Sequence, residues 1–308
     1  MARHPKVTQD LLNAWVSEGR GFGWAETYKS WMRLNRRNAS PVSTQVSGYV
    51  PPFVRECHFF CRSEFLIAIL FAWLGAWFRE QFPIWPWPHP HPLTGINPNL
   101  DPSLQFSEGM QAICRDVGID HGYFIGTRVL YVWTLDLVVS WTPLVDVNTT
   151  VVVSIKPIEA DRFNYPDPLC RELEKLEAER RYAGAMCLPY FVLDRTRFPG
   201  PLLGQLEWLS SAAYPLTRPY DVRVMNEFLQ QHGPALGQDA PANWISRLQV
   251  DYRASKELSD YVVQHCLWHQ IVDCDLGQRI NMLGLPIPGG RKLRQRLTSQ
   301  FVSDVRHA

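Results

Sequence analysis

Two segments with the apolar alternation of β-strands, "TLDLVV" and "VSIKP", each carry one ionisable residue, Asp136 in the first and Lys156 in the second. Side chains two residues apart on a strand share a face, so Lys156 lies on the same face as Ser154. If the strands pair, the carboxylate and the ammonium can meet on one face. The carboxylate could then hold Mg²⁺, and the lysine could activate a water or stabilise the charge on a phosphate under attack. A cross-strand salt bridge, or two independent charges at a sheet edge, would give the same spacing.

A third ionisable residue, Glu64, opens the most apolar stretch of the chain, "FLIAILFAWLGAWF" (65–78). An acid in the first turn can simply complement the helix dipole, an effect of about 0.3–1 kcal/mol. Taken together, however, a helix glutamate, a strand aspartate and a strand lysine in this chain order match the layout of restriction-endonuclease-like nucleases. The order therefore makes Glu64 a candidate for the same site as Asp136 and Lys156.

Several ordered motifs resemble the TnsA family, the endonuclease subunits of heteromeric bacterial transposases, over most of the first 210 residues. The segment "EGRGFGWAETYKSW" is similar to the family's N-terminal segment, and "CRSEFLIAILF" to its helix with the first catalytic glutamate. "REQFPIWP" is very close to the stretch that follows. "TLDLVV" and "VSIKP" resemble the aspartate and lysine strands, and "LEKLEAERRYAGAMCLPYFVL" the next helix and strand. Past about residue 210 the resemblance is faint.

The resemblance implies a set of site residues. Glu64, Asp136 and Lys156 take the catalytic roles, with Asp136 bridging two Mg²⁺ ions (Mn²⁺ being an alternative ion) and Glu64 holding one of them. The backbone carbonyl of Ile155 completes a metal site. A functionally important glutamate of the family falls at Glu179, so this residue joins the catalytic set.

The sequence departs from the family pattern at Ser154. The position two before the lysine is commonly Gln in TnsA and an acid in many related nucleases. A serine hydroxyl is shorter and a poorer ligand, so we expect Ser154 to act only through an ordered water. The proline that often precedes the aspartate in restriction-like nucleases is replaced by Leu135.

The resemblance also implies partners. TnsA proteins cut the 5′ ends of a transposon, while a TnsB-type transposase cuts and joins the 3′ ends and a TnsC-type ATPase binds the C-terminal part of TnsA. DNA at the transposon ends is the implied substrate. Two alternatives stay open: a restriction-like nuclease that works alone, and a non-catalytic assembly factor that bridges TnsB and TnsC.

The predicted architecture has two parts. Residues 1–196 are expected to form an α/β restriction-endonuclease-like catalytic domain, with an N-terminal helical extension over 1–50. The stretch "TRFPGPLLG" (196–204) is the best candidate for a linker. Residues 205–308 are expected to form a small, mostly α-helical, winged-helix-like domain for partner and DNA binding.

Within the first part, a helix is predicted from about residue 62 to residue 80. Five prolines make regular structure over 81–95 unexpected, because proline fixes φ and lacks the backbone donor. Strands are predicted near 129–141 and 150–157, followed by a charged helix over 168–185 and a strand over 187–194.

Composition limits the class of protein. The chain has 308 residues, 46% of them hydrophobic and 20% charged, and a net charge of only +1. Its apolar stretch of 14 residues is shorter than the ~20 residues that cross a bilayer, so no membrane segment is expected. Seven scattered cysteines and no secretory signal indicate a reducing compartment, the cytoplasm, and the resemblance to TnsA implies that it is a bacterial one.

Basic residues concentrate near the chain ends, which fits local contacts to phosphate better than bulk attraction of a polyanion. The four candidate DNA-binding residues near the C-terminus are Arg291, Lys292, Arg294 and Arg296. Because two glycines precede them, this tail is expected to be loosely tethered and free to contact DNA or an acidic partner. Alternatively it forms a surface helix whose residues Leu293, Leu297 and Phe301 pack at i, i+4 and i+8.

Overall fold

The computed structural model describes residues 6–34, 44–141, 145–156 and 166–302, with the side chains of 166–170 excepted. The predicted extension over 1–50 and the basic tail therefore lie partly outside the described residues. The strands are β1 (Val46–Tyr49), β2 (Glu56–Phe59), β3 (Ala76–Ile84), β4 (Trp133–Trp141), β5 (Thr150–Ile155) and β6 (Tyr190–Leu193). The helices are α1 (Gln9–Ser17), α2 (Arg62–Trp73), α3 (Met110–Asp116), α4 (Pro166–Ala185), α5 (Leu202–Leu209), α6 (Pro219–His232), α7 (Pro241–Asp251), α8 (Lys256–Trp268) and α9 (Gly290–Val302).

The main sheet has four strands in the order β3-β4-β5-β6. The pairs β3–β4 and β4–β5 are antiparallel, whereas β5 and β6 are parallel and are joined through α4. A crossover of this kind is the usual connection between parallel strands. The fold is thus mixed α/β, as the sequence predicts, with a separate hairpin made by β1 and β2.

Strand alternation separates two buried cores on the two faces of the sheet. Leu137 and Val153 belong to the core that contains α2, while Val138 and Val152 belong to the core that contains α4. Asp136 lies between Leu135, which belongs to the α4 core, and Leu137, which belongs to the α2 core, so the regular alternation of faces along β4 is interrupted at this residue.

The prediction of one helix over residues 62–80 is wrong in its second half. Helix α2 ends near Gly75, whose φ of +84° is the left-handed conformation typical of a residue that ends a helix. The chain then enters β3, which reaches Ile84 and includes Pro83. Proline is tolerated there because β3 is an edge strand of the sheet.

The predicted linker over residues 196–204 contributes three side chains to a core. Phe198, Leu202 and Leu203 are buried, and α5 begins at Leu202. They belong to the same hydrophobic cluster as α2 and the helices that follow. The C-terminal part is helical as predicted, and the described residues 199–302 contain no β-strand that could form a wing.

Candidate functional site

Asp136 and Lys156 meet at the end of the paired part of β4 and β5. The Lys156 Nζ lies 3.3 Å from the Asp136 Oδ2. Regular β4–β5 pairing ends at Leu137 and Val153. Just beyond that pair, the backbone N–H of Ile155 donates to the Asp136 Oδ2 at 2.6 Å. The Asp136 carboxylate therefore accepts a hydrogen bond from the main chain of β5 just beyond the last regular β4–β5 pair. This bond fixes the position of the carboxylate between the two strands.

Glu64 stands in the first turn of α2 and is only 6% exposed. Its Oε2 accepts hydrogen bonds from the Phe60 backbone N–H at 2.9 Å and from the Gln81 Nε2 at 3.0 Å. Burial, followed by the charge of Asp136, raises the pKa of Glu64 to about 8. In the metal-free protein at pH 7, most of this carboxyl group is therefore protonated.

Glu179 of α4 and Ser154 of β5 form a second buried pair beside Asp136. The Ser154 Oγ donates to the Glu179 Oε2 at 2.5 Å, and the Tyr190 hydroxyl donates to the same oxygen at 3.0 Å. Burial and then the charge of Asp136 raise the pKa of Glu179 to about 7, while Lys156 opposes the shift. The direct bond to Glu179 gives Ser154 a protein partner, in contrast to the expected role through a water alone.

Lys156 carries the positive charge that these acids surround. Burial disfavours its ammonium, but the carboxylates of Asp136, Glu179 and Glu64 outweigh burial and raise the pKa of Lys156 above its ordinary value. The side chain remains 26% exposed. Lys156 is thus a permanent ammonium at neutral pH that can still be approached from outside.

The donor chemistry of this cluster fits a hard divalent cation. Glu64 and Asp136 offer carboxylate oxygens, which Mg²⁺ and Mn²⁺ prefer. The Asp136 Oδ1 has no hydrogen bond to any described residue. Because the N–H and C=O of a strand residue face the same neighbour, the Ile155 carbonyl lies on the side of Asp136 that its N–H contacts. The described ranges contain no group of three or more His, Cys, Asp and Glu residues suited to a metal, so the fit depends on two carboxylates and a main-chain oxygen.

The four predicted DNA-binding residues all lie on α9, which is packed against the body of the protein. The side chains of Leu293, Leu297 and Phe301 are buried, as expected if the segment forms a packed surface helix. The prediction that the segment is loosely tethered is therefore wrong. The physical reason lies partly at Asp273, whose carboxylate accepts from the backbone N–H groups of residues 289 and 291 and anchors the start of α9.

Two of the arginines on α9 have different surroundings. The Arg291 guanidinium donates to the carbonyl oxygens of Gln270 and Ile271, both at 3.0 Å, so it is used in holding the fold. Arg294 lies over the Trp73 ring at 5.6 Å and makes no side-chain hydrogen bond to the described residues. Both line a groove of about 580 Å³, and Lys292 and Arg296 line an adjoining one of about 590 Å³.

The sequence did not identify Gln81 and Tyr190 as parts of the cluster. Gln81 was not predicted as a site residue because its segment was expected to lack regular structure. A polar residue between apolar neighbours in a strand can nevertheless indicate a functional position. Tyr190 carries no such signal, because its contact with Glu179 depends on how α4 packs on the sheet.

No known protein-family model matches the chain, and no curated protein matches it either. Among the described residues, no helix is both long and apolar enough to cross a bilayer. The contacts and charges of the carboxylate–lysine cluster are therefore the basis for a functional proposal.

Proposed function

We propose that the chain is a metal-dependent DNA endonuclease of the TnsA type, which cleaves the 5′ ends of a transposon together with a TnsB-type transposase and under the control of a TnsC-type ATPase. The observation that carries the proposal is the pairing of Lys156 with Asp136 at 3.3 Å, together with the buried Glu64, which Gln81 links through Thr134 to the strand of Asp136. The motif resemblance adds the substrate and the partners. The mixed sheet, with α2 on one face and the α4 crossover on the other, supports a restriction-endonuclease-like fold for the catalytic part.

Each residue of the cluster has a role that follows from its charge. Mg²⁺, when bound, would supply Lewis-acid chemistry at the phosphate and lower the pKa of an attacking water. Glu64 must give up its proton to act as a ligand, so cation binding releases a proton at this residue. Lys156, held as an ammonium, is suited to stabilising the developing negative charge on the phosphate rather than to removing a proton. Ser154 and Tyr190 hold the Glu179 carboxyl group beside β5.

The grooves beside α9 support a contact with the DNA backbone. Arg294 offers a half-buried guanidinium that lies over an indole ring and has no hydrogen-bonded partner among the described residues. Trp73 is the last residue of α2 and follows Glu64, in the first turn, by nine residues. With a rise of 1.5 Å per residue this separation is about 14 Å, so one DNA duplex is long enough to reach both places.

The proposal is tested by nicking of transposon-end DNA with Mg²⁺, with and without the partner proteins. Asp136→Asn should abolish cleavage, because the amide keeps an acceptor for the Ile155 N–H while the negative charge is removed. Asp260→Asn is the matched control, since Asp260 also pairs with a lysine but on the exposed surface of α8. Full activity without partners would favour a stand-alone nuclease, and absence of cleavage with every partner would favour a non-catalytic assembly factor.

A further inference from the structure

Gln81 has an unusual backbone at the centre of β3. Its φ is +49°, a left-handed conformation that is uncommon for a residue other than glycine and rare within a strand. The regular pairing of β3 with β4 includes Glu80 and Phe82 but skips Gln81 and the residue opposite it, Asp136. Among the described non-glycine residues with positive φ, Gln81 alone lies inside a β-strand. A local distortion therefore occurs directly beside the candidate site.

The distortion is associated with a bridge made by the Gln81 side chain. Its Nε2 donates to the Glu64 Oε2 at 3.0 Å, and its Oε1 accepts from the Thr134 hydroxyl at 3.2 Å. Thr134 lies two residues from Asp136 on β4. Glu64 belongs to α2. The buried amide, 3% exposed, thus connects α2 to the strand that carries Asp136.

The two bonds also determine how the Glu64 carboxylate is oriented. The ionised Glu64 carboxylate can only accept, so the amide nitrogen faces Glu64 and the amide oxygen accepts from the Thr134 hydroxyl. The Glu64 Oε2 then receives two N–H donors, from Gln81 and from Phe60. No other N–H of the described residues donates to this carboxylate, although the Cys61 thiol also lies close enough to lower its pKa.

We propose that Gln81 is a positioning residue that holds the Glu64 carboxylate in its cation-binding orientation and ties it to the strand that carries Asp136. The inference rests on the proposed function, in which Glu64 is a metal ligand. A neutral amide suits the role because it orients the carboxylate without adding a third negative charge. The left-handed backbone of β3 is the conformation in which this amide reaches Glu64 and Thr134 together.

A purely structural role for Gln81 is the competing explanation, and the chain offers a matched control. Gln270 has a φ of +53° and is 4% exposed. Its side chain also makes two hydrogen bonds, to the Leu267 carbonyl at 2.8 Å and from the Cys274 N–H at 3.2 Å. It follows α8 and contacts neither Glu64 nor Asp136. Removing either amide should lower stability, but only one should change cation binding.

The experiment is a titration of the full chain with Mn²⁺, followed by electron paramagnetic resonance, with thermal unfolding measured in parallel. Gln81→Met keeps the length of the side chain and removes the amide, and Gln270→Met is the same change at the control position. Gln81→Met should weaken Mn²⁺ binding by about 10–100-fold, as is usual when a group that orients a metal ligand is removed. Gln270→Met should leave the affinity unchanged while lowering the melting temperature.

A second variant covers the outcome in which Gln81→Met does not fold. Thr134→Val removes the hydroxyl that fixes the amide and should weaken Mn²⁺ binding in the same direction, though less. Unchanged affinity in the folded Gln81→Met protein, or in Thr134→Val if the first does not fold, would overturn the proposal. Glu64→Gln serves as the reference for complete loss of the site.

Failure of the proposed function gives a different pattern. If the wild type binds Mn²⁺ through Glu64 but cuts no DNA, the nuclease proposal fails while the role of Gln81 is still decided by the affinities. If the wild type cuts DNA and Gln81→Met binds Mn²⁺ as tightly as the wild type, the nuclease proposal stands and the positioning role is refuted.

Discussion

Replacing Glu64 by Gln should make the metal-free protein more stable at pH 8 but not at pH 5. The pKa of Glu64 is raised from 4.5 to about 8 by burial and by Asp136. Since the folded state holds this proton more tightly than the unfolded state does, the stability associated with it is fully present below pH 4.5. It is lost progressively as the pH rises through 8.

The size of the effect follows from the shift. At 1.36 kcal/mol per pKa unit, a shift of about 3.5 units corresponds to at most ~5 kcal/mol at pH 8. Relaxation around a buried charge reduces such figures, so a gain of about 2–4 kcal/mol is expected for Glu64→Gln at pH 8. The glutamine can still accept from the Phe60 and Gln81 donors, which keeps the local packing. The raised pKa of Glu179 contributes in both proteins and cancels in the comparison.

The assay is urea unfolding of both proteins in EDTA at pH 5 and at pH 8. Addition of Mg²⁺ at pH 8 should then stabilise the wild type and leave Glu64→Gln unaffected, because a ligand that binds only the folded state stabilises it by mass action. An equal difference in stability between the two proteins at both pH values would refute the assignment of a buried, proton-binding carboxyl group at this position.

Four further predictions concern the rest of the site and helix α9. Lys156→Ala should lower the cleavage rate by at least tenfold while Mg²⁺ affinity, measured by titration, is largely kept, because an ammonium cannot ligate a cation. Ser154→Gln should lower the free energy of unfolding, measured by urea denaturation, by about 1–3 kcal/mol. The reason is that the buried serine beside the Glu179 carboxylate has no room for a longer side chain. A variant with wild-type stability and activity would show that the space exists. Arg294→Gln should reduce the salt slope of DNA binding by ~0.9, the value expected for a single phosphate neutralised by the protein. Arg291→Gln should instead reduce stability, because its guanidinium holds two carbonyl groups.

The sequence predicts those parts of the site that depend on local pattern. Alternation identifies the strands of Asp136 and Lys156, and apolar content identifies the helix of Glu64. It does not predict β3, because the apolar run of α2 continues into the strand without a change in hydrophobicity. The only local signal for the end of the helix is Gly75, which adopts a left-handed conformation.

The parts of the site that the sequence does not predict depend on contacts between distant segments. Ser154 and Glu179 are 25 residues apart, and their bond depends on the way α4 packs across the sheet. The bridge from Gln81 to Thr134 spans 53 residues and requires a positive φ, which a glutamine in a sequence does not suggest. Physical pattern rules act over a few residues, so neither contact follows from them.

The shared core around α2 has a consequence for the order of folding. The Trp73 indole donates to the Trp268 carbonyl across 195 residues, and the rings of Phe71 and Phe301 lie 5.0 Å apart. Helix α2, with Glu64 in its first turn, therefore keeps an uncovered apolar face on the ribosome until α8 and α9 have emerged. Such long-range contacts slow folding and expose the nascent chain to aggregation. The candidate site is thus expected to become fully ordered only late in synthesis, so that incomplete chains carry an unfinished carboxylate–lysine cluster.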